Sequence, residues 1–201
     1  MSEEVVNIIE SAEDYVLQLL GEKLNSKMVY HGPAHTCEVV EAAKFLGHKA
    51  ELNDKDMEIL QLAAWFHDVG FVVGYDNHEE NGLKIARKFL EDNNYPESDI
   101  QTVLNAINTT KLDVAPSNLI EEIMCDADLY HISTSDCLEK AGFLRQEWEL
   151  FLGEVYTDEQ WYTNTIEFYQ SHHYHTPYAR EVLQRGKEMN IKNLEELRDS
   201  L

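Results

Sequence analysis

Apolar residues recur along this chain with helical periodicity from one end to the other, and the apolar–polar alternation of half-buried strands is absent. Val5, Ile8, Ile9, Ala12, Val16, Leu19 and Leu20 form one stripe, with Gly21 as its expected stop. A second helix is expected over about 35–46, turning Val39, Val40, Ala43 and Leu46 inward. A third, over about 54–69 and capped by Asp54, buries Ile59, Leu60, Leu62, Ala63 and Phe66. Residues 70–77 read as a loop, and a fourth helix follows over about 78–91. A fifth starts after Pro96 with Ser98 as its cap and carries Ile100, Val103, Leu104 and Ile107. Pro116, Ser117 and Asn118 open a sixth, which carries Ile120, Ile123, Met124 and Ala127. The remainder predicts three or four more helices, broken near Gly153, near 174–177 and at Asn190. Thr176 followed by Pro177 has the composition of a helix start, a cap and then a proline in the first turn. Trp148, Trp161, Tyr162, Phe168 and Tyr169 recur at helical spacing and are read as core.

The expected fold class is therefore all-α, and 201 residues suffice for one compact domain over 1–201. Four prolines and nine glycines leave no flexible linker, and no repeat is visible. No apolar run approaches the roughly 20 residues that span a bilayer. The first twenty residues are acidic and amphipathic, unlike a secretory signal. A cytoplasmic location is expected. Cys37, Cys125 and Cys137 are far apart, odd in number and without a CxxC pair, so reduced thiols are expected. With 38 acids against 16 bases the formal charge is −22, which repels duplex nucleic acid and anionic membranes. The same field opposes a small phosphorylated substrate, so a metal and local cations must offset it at the site.

Three segments carry residues that suit chemistry better than packing. They are Tyr30-His31-Gly32-Pro33-Ala34-His35-Thr36, Trp65-Phe66-His67-Asp68-Val69-Gly70 and Cys125-Asp126-Ala127-Asp128-Leu129-Tyr130. His67 and Asp68 follow an apolar run at the C-terminal end of a core helix, where the helix dipole disfavours a carboxylate. A carboxylate buried there needs a partner or a metal. Asp126 and Asp128 likewise follow the apolar Ile123-Met124. A divalent cation accounts for all these placements together. Two imidazoles and two carboxylates suit Mn, Fe, Co, Ni, Zn or Mg, and leave positions open for water and substrate.

In this order on a helical scaffold, the three segments resemble the H…HD…D signature of HD-domain phosphohydrolases, over about residues 28–135. LRQEWE at 144–149 and SHHYHTPYA at 171–179 are softer matches to some bacterial members. Residues 136–201 then read as a helical extension of an HD core. The resemblance implies His35, His67, Asp68 and Asp128 as ligands of a divalent metal. Asp128 is preferred to Asp126, which becomes an acceptor behind the ligands or a helix-face residue. It also implies hydrolysis of a small phosphoester, a nucleotide or nucleotide-like metabolite, through a metal-activated water that Asp68 orients. In phosphodiesterases with a similar YHxxxH segment the earlier histidine is a general acid, so His31 is either that acid or a cap or loop contact. His78 and Glu79 occupy a point where many members reach the site; for Glu79 the alternative is an acid complementing the helix dipole. Two-metal relatives place histidines near Asn108-Thr109-Thr110-Lys111, and none stands here. One metal is favoured, with Lys111 either the cation that replaces the second or a solvated lysine. His172, His173 and His175 are assigned to capping or packing. The apolar stretch at 70–73 lacks the acidic pair of alarmone hydrolases, which lowers that activity. A nucleotide-sensing or metal-stabilised module without catalysis is the alternative, and a di-iron oxygenase, which needs more histidines, ranks below it. A homodimer is compatible with the sequence but demanded by nothing in it.

Overall fold

The computed structural model describes residues 7–111 and 113–201; Val5 of the first stripe lies outside them. Among the described residues there are nine α-helices and no strand. The fold is built around α3 (Asp54–Phe66), which buries Met57, Ile59, Leu60, Leu62, Ala63, Ala64, Trp65 and Phe66. A helix apolar on nearly every side must be covered on every side. α1 (Ile8–Lys23), α2 (Pro33–Lys49), α5 (Glu97–Asn108) and α6 (Leu119–Asp128) provide that cover, and α2 packs on α6 as well. α4 (His78–Asp92) lies on α5 and on the short 3₁₀ turn Val69–Val72. α7 (Cys137–Phe151) and α9 (Gln184–Asp199) pack on the 3₁₀ turn Tyr130–Ser133, and α8 (Asp158–Ser171) packs on α9.

Several ends differ from expectation. α1 passes through Gly21 and ends at Lys23, because that glycine is on the solvent face and nothing there obstructs another turn. α3 is capped by Asn53, whose side chain accepts the Asp56 N–H; Asp54 is instead a first-turn acid. Its helical path stops at Phe66, three residues early, so His67 and Asp68 stand beyond its last turn. The expected loop at 70–77 is partly the 3₁₀ turn Val69–Val72. α5 starts at Glu97 with Pro96 before it, and Ser98 does not cap it: its hydroxyl donates to the Asp99 carboxylate. α6 opens where expected, directly after the 116–118 segment, and Asn118 caps it. Asn190 breaks nothing. It lies inside α9, buried, and donates to the Ile132 and Thr134 carbonyls at 3.0 and 2.8 Å.

The tail is tied to the core through polar groups. Thr176 accepts the Ala179 N–H at 3.3 Å, and a π-helical turn, Ala179–Leu183, leads into α9. Lys187 is almost fully buried with no carboxylate partner among the described residues; its ammonium donates to the His172 carbonyl at 2.6 Å. Burial holds that ammonium below its ordinary pKa.

One close approach sets the geometry after α3. A Cβ on Gly70 would lie 1.8 Å from the His78 carbonyl oxygen and 2.5 Å from the Gly82 nitrogen. Only glycine lets the 3₁₀ turn meet α4 this closely. Gly70→Ala is expected to destabilise the fold by ~3 kcal/mol or more, since backbone on both sides must move. Gly21→Ala, at an open helical position, should stabilise by ~1 kcal/mol. Urea melts of both variants test this, and equal midpoints for the two would contradict it.

Candidate metal centre

Three chain segments converge where α3 and α6 end and α2 begins. Pro33 occupies the first position of α2 and Gly32 precedes it, so His35 sits in the helix's first turn while His31 lies just outside. His35 is buried by the packing of α2 on α3 and α6. His67, at the C-cap of α3, is 1% exposed. Its Nδ1 meets the Ala64 carbonyl at 2.8 Å, and a carbonyl can only accept, so Nδ1 carries the proton and Nε2 presents its lone pair. That Nε2 lies 3.4 Å from the Nε2 of His35. Asp68 Oδ2 is 3.1 Å from the His67 Nε2 and 3.5 Å from that of His35. Asp128, the last residue of α6, brings Oδ1 within 3.3 Å of His35 Nε2 and 3.6 Å of His67 Nε2. Ligand atoms of His35, His67 and Asp128 all fall within 4.8 Å of one another, and Asp68 adjoins the set through both imidazoles.

This donor set fits a divalent ion. Asp68 Oδ2 is buried and has no hydrogen-bond partner among the described residues. Two imidazole nitrogens and an Asp128 oxygen face one another within 4.8 Å, with an Asp68 oxygen beside both imidazoles, and negative groups gathered in a desolvated place need positive charge between them. Without an ion the burden falls on protons. Burial alone would lower the His67 pKa, yet the charge of Asp68 raises it to about 9. Both carboxyls are held below their ordinary range despite burial, Asp68 chiefly by His67 and Asp128 chiefly by its contact with His35.

Residues 34–133 match the family model of the HD domain. The chain belongs to the HD-domain superfamily. HD domains as a class are metal-dependent phosphohydrolases. Its fold is similar to the crystal structure of a protein from Lactobacillus plantarum, at a TM-score of 0.71 and 15% identity, over 100% of this chain and 98% of that one. The likeness at that identity concerns the fold. The HD match ends before α7, so everything that α7, α8 and α9 bring to the site lies outside it.

Around the HD residues lies a cavity of about 390 Å³. His31, His35, Asp68 and Asp128 are among the residues that line it. His31 is set by Glu147 of α7, a residue with no exposed side-chain surface. The Glu147 carboxylate accepts the backbone N–H groups of Tyr30 and His31 at 3.0 and 3.1 Å, and the His31 Nδ1–H at 2.5 Å. Nε2 of His31 makes no hydrogen bond among the described residues. Burial would lower the His31 pKa, but the bond to Glu147 and the charge of Asp68 carry it above its ordinary value. The same bond holds the Glu147 carboxyl below its ordinary range against burial. His131 is the opposite case: burial and the neighbouring His35 push it down to about 4, so it stands neutral, donating from Nδ1 to the Asp128 carbonyl at 3.2 Å.

The other expected residues fall in two groups. His78 and Glu79 open α4 and line the cavity. The His78 ring stacks on Phe71 at 3.8 Å, and Phe71 stacks in turn on His31 at 4.5 Å. His78 Nδ1 donates to the Tyr75 carbonyl at 3.0 Å. Lys111 also lines the cavity, but its ammonium is already bound to Glu80 at 2.6 Å. Asp126 points away from the other acids: fully buried, it accepts the N–H groups of His175 and Thr176, each at 2.8 Å. The 172–175 segment is therefore held in place by a carboxylate from α6. The aromatic residues read as core are partly cavity wall instead, because Trp148, Trp161, Phe168 and Tyr169 all line it. Glu147 and His131 were not singled out from the sequence. Glu147 lies within the LRQEWE segment, and its only signal was an acid between apolar helical positions.

The two acids of α6 should part in experiment. Asp126→Ala removes two charge-assisted bonds and is expected to lower stability by ~3 kcal/mol or more while leaving bound metal near stoichiometric. Asp128→Ala should do the reverse, losing metal with little loss of fold. Metal analysis beside chemical denaturation of each variant decides, and metal loss in both with equal destabilisation would refute the division.

Proposed function

We propose that this chain hydrolyses a small phosphoester, a nucleotide or nucleotide-like metabolite, at the centre formed by His35, His67, Asp68 and Asp128. The observation that carries the reading is the gathering of those four side chains beside a cavity that His35, Asp68 and Asp128 line together with His31, which Glu147 holds. A divalent ion held there supplies Lewis acidity to the phosphoryl oxygens and lowers the pKa of water from about 15.7 toward neutrality.

The chain's own groups divide the remaining work. Asp68, with its buried oxygen, orients the attacking water. One P–O ester bond breaks as one P–O bond to that water's oxygen forms; the water's surplus proton leaves to solvent. The departing oxygen needs a proton, and His31 is placed to donate it from Nε2, since Glu147 holds Nδ1 and favours the protonated ring. Glu147 is thus a positioning residue. Lys111 and His78 also line the cavity and are assigned to contact with the substrate.

The core at about 28–135 and the extension at 136–201 act here as one unit, because residues of both line the same cavity. The three cysteines are unpaired, as suits the cytoplasm, and among the described residues no helix is long and apolar enough to cross a membrane. The charge of −22 supports a small-molecule substrate over duplex nucleic acid. Nothing in the chain requires a homodimer.

Protein purified without chelator should carry close to one metal per chain and turn over members of a nucleotide and phosphodiester panel when Mn, Co, Ni or Mg is supplied. Both properties should vanish in His67→Ala and Asp68→Ala while helicity stays. Metal without turnover would move the reading to a sensor, and no metal under any condition would end it. The acid has its own signature. His31→Ala should slow esters of alkyl alcohols by roughly 10²- to 10⁴-fold. Esters of p-nitrophenol, whose leaving group needs no proton, should slow far less. Equal losses on the two ester types would remove His31 from that role.

A further inference from the structure

We infer that α7 and α8 form a chamber for a flat heteroaromatic ring, and that the substrate joins this ring to a single phosphoryl group, as a mononucleotide does. The inference rests on the hydrolase reading for the phosphoryl end alone. The ring end stands on separate observations.

The part of the cavity wall that α7 and α8 supply is aromatic. Trp148 and Trp161 meet edge to face with centroids 5.6 Å apart, and Phe168 and Tyr169 continue the wall along α8. Helical spacing explains why these rings share a side but not why they enclose space. Buried rings normally fill their own core, whereas here they border about 390 Å³ that also reaches the metal centre. That size suits a small-molecule site. Such a wall desolvates whatever enters, which penalises a hydroxyl-rich sugar and favours a ring that stacks. Base–aromatic stacking is worth about 1–3 kcal/mol per base, or roughly 5- to 150-fold in affinity.

Polar groups on this wall are few. Thr165 already donates to the Trp161 carbonyl at 2.8 Å. Asn164 lines the cavity, and its side chain makes no hydrogen bond among the described residues. A carboxamide offers a donor and an acceptor side by side, the pattern carried on the edge of a nucleobase. Asn164 is therefore assigned to the ring edge.

The count of phosphates follows from the cations. Two lysines line the cavity, and both are engaged: Lys111 with Glu80 at 2.6 Å, Lys140 with Glu38 and Asp136, each at 2.9 Å. No arginine lines it. One phosphoryl group is met by the metal end and His31. A di- or triphosphate would place further charge against acids already dominant in a chain of net −22, with no unpaired cation to receive it.

Tryptophan fluorescence of the full chain tests this directly, because two of the three tryptophans lie on the chamber wall and Trp65 lies in α3. With Mn present, AMP and GMP are expected to quench and to bind at least tenfold tighter than ribose 5-phosphate or ATP. Adenosine or guanosine alone should still quench the His67→Ala variant, which tests the chamber without the metal. Trp161 is nearly buried, so Trp161→Ala risks the fold; Asn164→Ala, on the exposed side of α8, does not. Asn164→Ala should weaken AMP or GMP about tenfold and leave ribose 5-phosphate unchanged. If ribose 5-phosphate binds as well as the nucleotides, the chamber fails while the hydrolase reading stands. If ATP binds as tightly as AMP, the single-phosphoryl limit fails. If nucleosides quench but neither metal nor phosphate binds, the hydrolase reading fails and the chamber survives.

Discussion

Negative charge gathered in a desolvated place is the constraint on which the rest of this structure turns. Asp68 and Asp128 stand at the carbonyl ends of α3 and α6, where the helix dipoles disfavour them, and one Asp68 oxygen is buried without a hydrogen-bond partner among the described residues. Uncompensated, a buried carboxylate costs several kcal/mol. The scaffold holds this arrangement from all sides. α3 is apolar almost all round and so cannot rotate its end into water. Gly70 then locks the following turn against α4 at a separation no Cβ permits. Ala64 fixes the His67 ring so that its lone pair faces the acids. Each feature is costly or restrictive alone, and all of them become favourable once a cation is shared by the four side chains.

The same helix end ties the tail to that centre. Asp126 and Asp128 are two residues apart, so their side chains leave α6 in different directions. Asp128 turns to the histidines and Asp126 to the backbone of His175 and Thr176. The helix that starts at Pro177 is thus fastened to the element that carries a metal-centre residue. Asn190 repeats the device through the carbonyls of Ile132 and Thr134, in the turn that follows α6. Glu147 does it a third time from α7, through the backbone and ring of His31. The C-terminal helices are coupled to the HD residues by buried polar contacts. Such contacts demand specific geometry where apolar packing would tolerate sliding.

What the sequence made legible follows from what periodicity and motif encode. Helix existence and inward faces were readable because burial repeats every 3.6 residues, and the all-α class with its H…HD…D segments came with them. Helix ends were less so. Gly21 looked like a stop but lies on open surface, and Asn53 outcompeted its neighbour Asp54 as cap because its carbonyl oxygen reaches the Asp56 N–H. Ser98 and Asn190 resembled boundaries by residue type alone, and tertiary partners decided otherwise. The contribution of α7 and α8 was hidden for a different reason. Glu147 lies 116 residues from His31, and no local pattern encodes that pairing. Trp148, Trp161 and Phe168 have the spacing of a core face, and whether such a face meets protein or a cavity depends on how far the opposing helix stands off.

Electrostatics then sets what such a site can take. A surface of net −22 lowers the local concentration of any anion, so affinity has to arise at short range. At the HD residues a bound cation would supply it together with His31, whose positive form Glu147 favours. Both lysines that line the cavity are already neutralised by their own acids, so they add little attraction for anions. Stacking, which charge does not oppose, takes over along the aromatic wall. A molecule with one charged end and one flat uncharged end matches this gradient, and a molecule charged along its length does not. The HD core alone would leave that choice open. The helices beyond it make the choice, by presenting tryptophan and asparagine where another chain would need arginine.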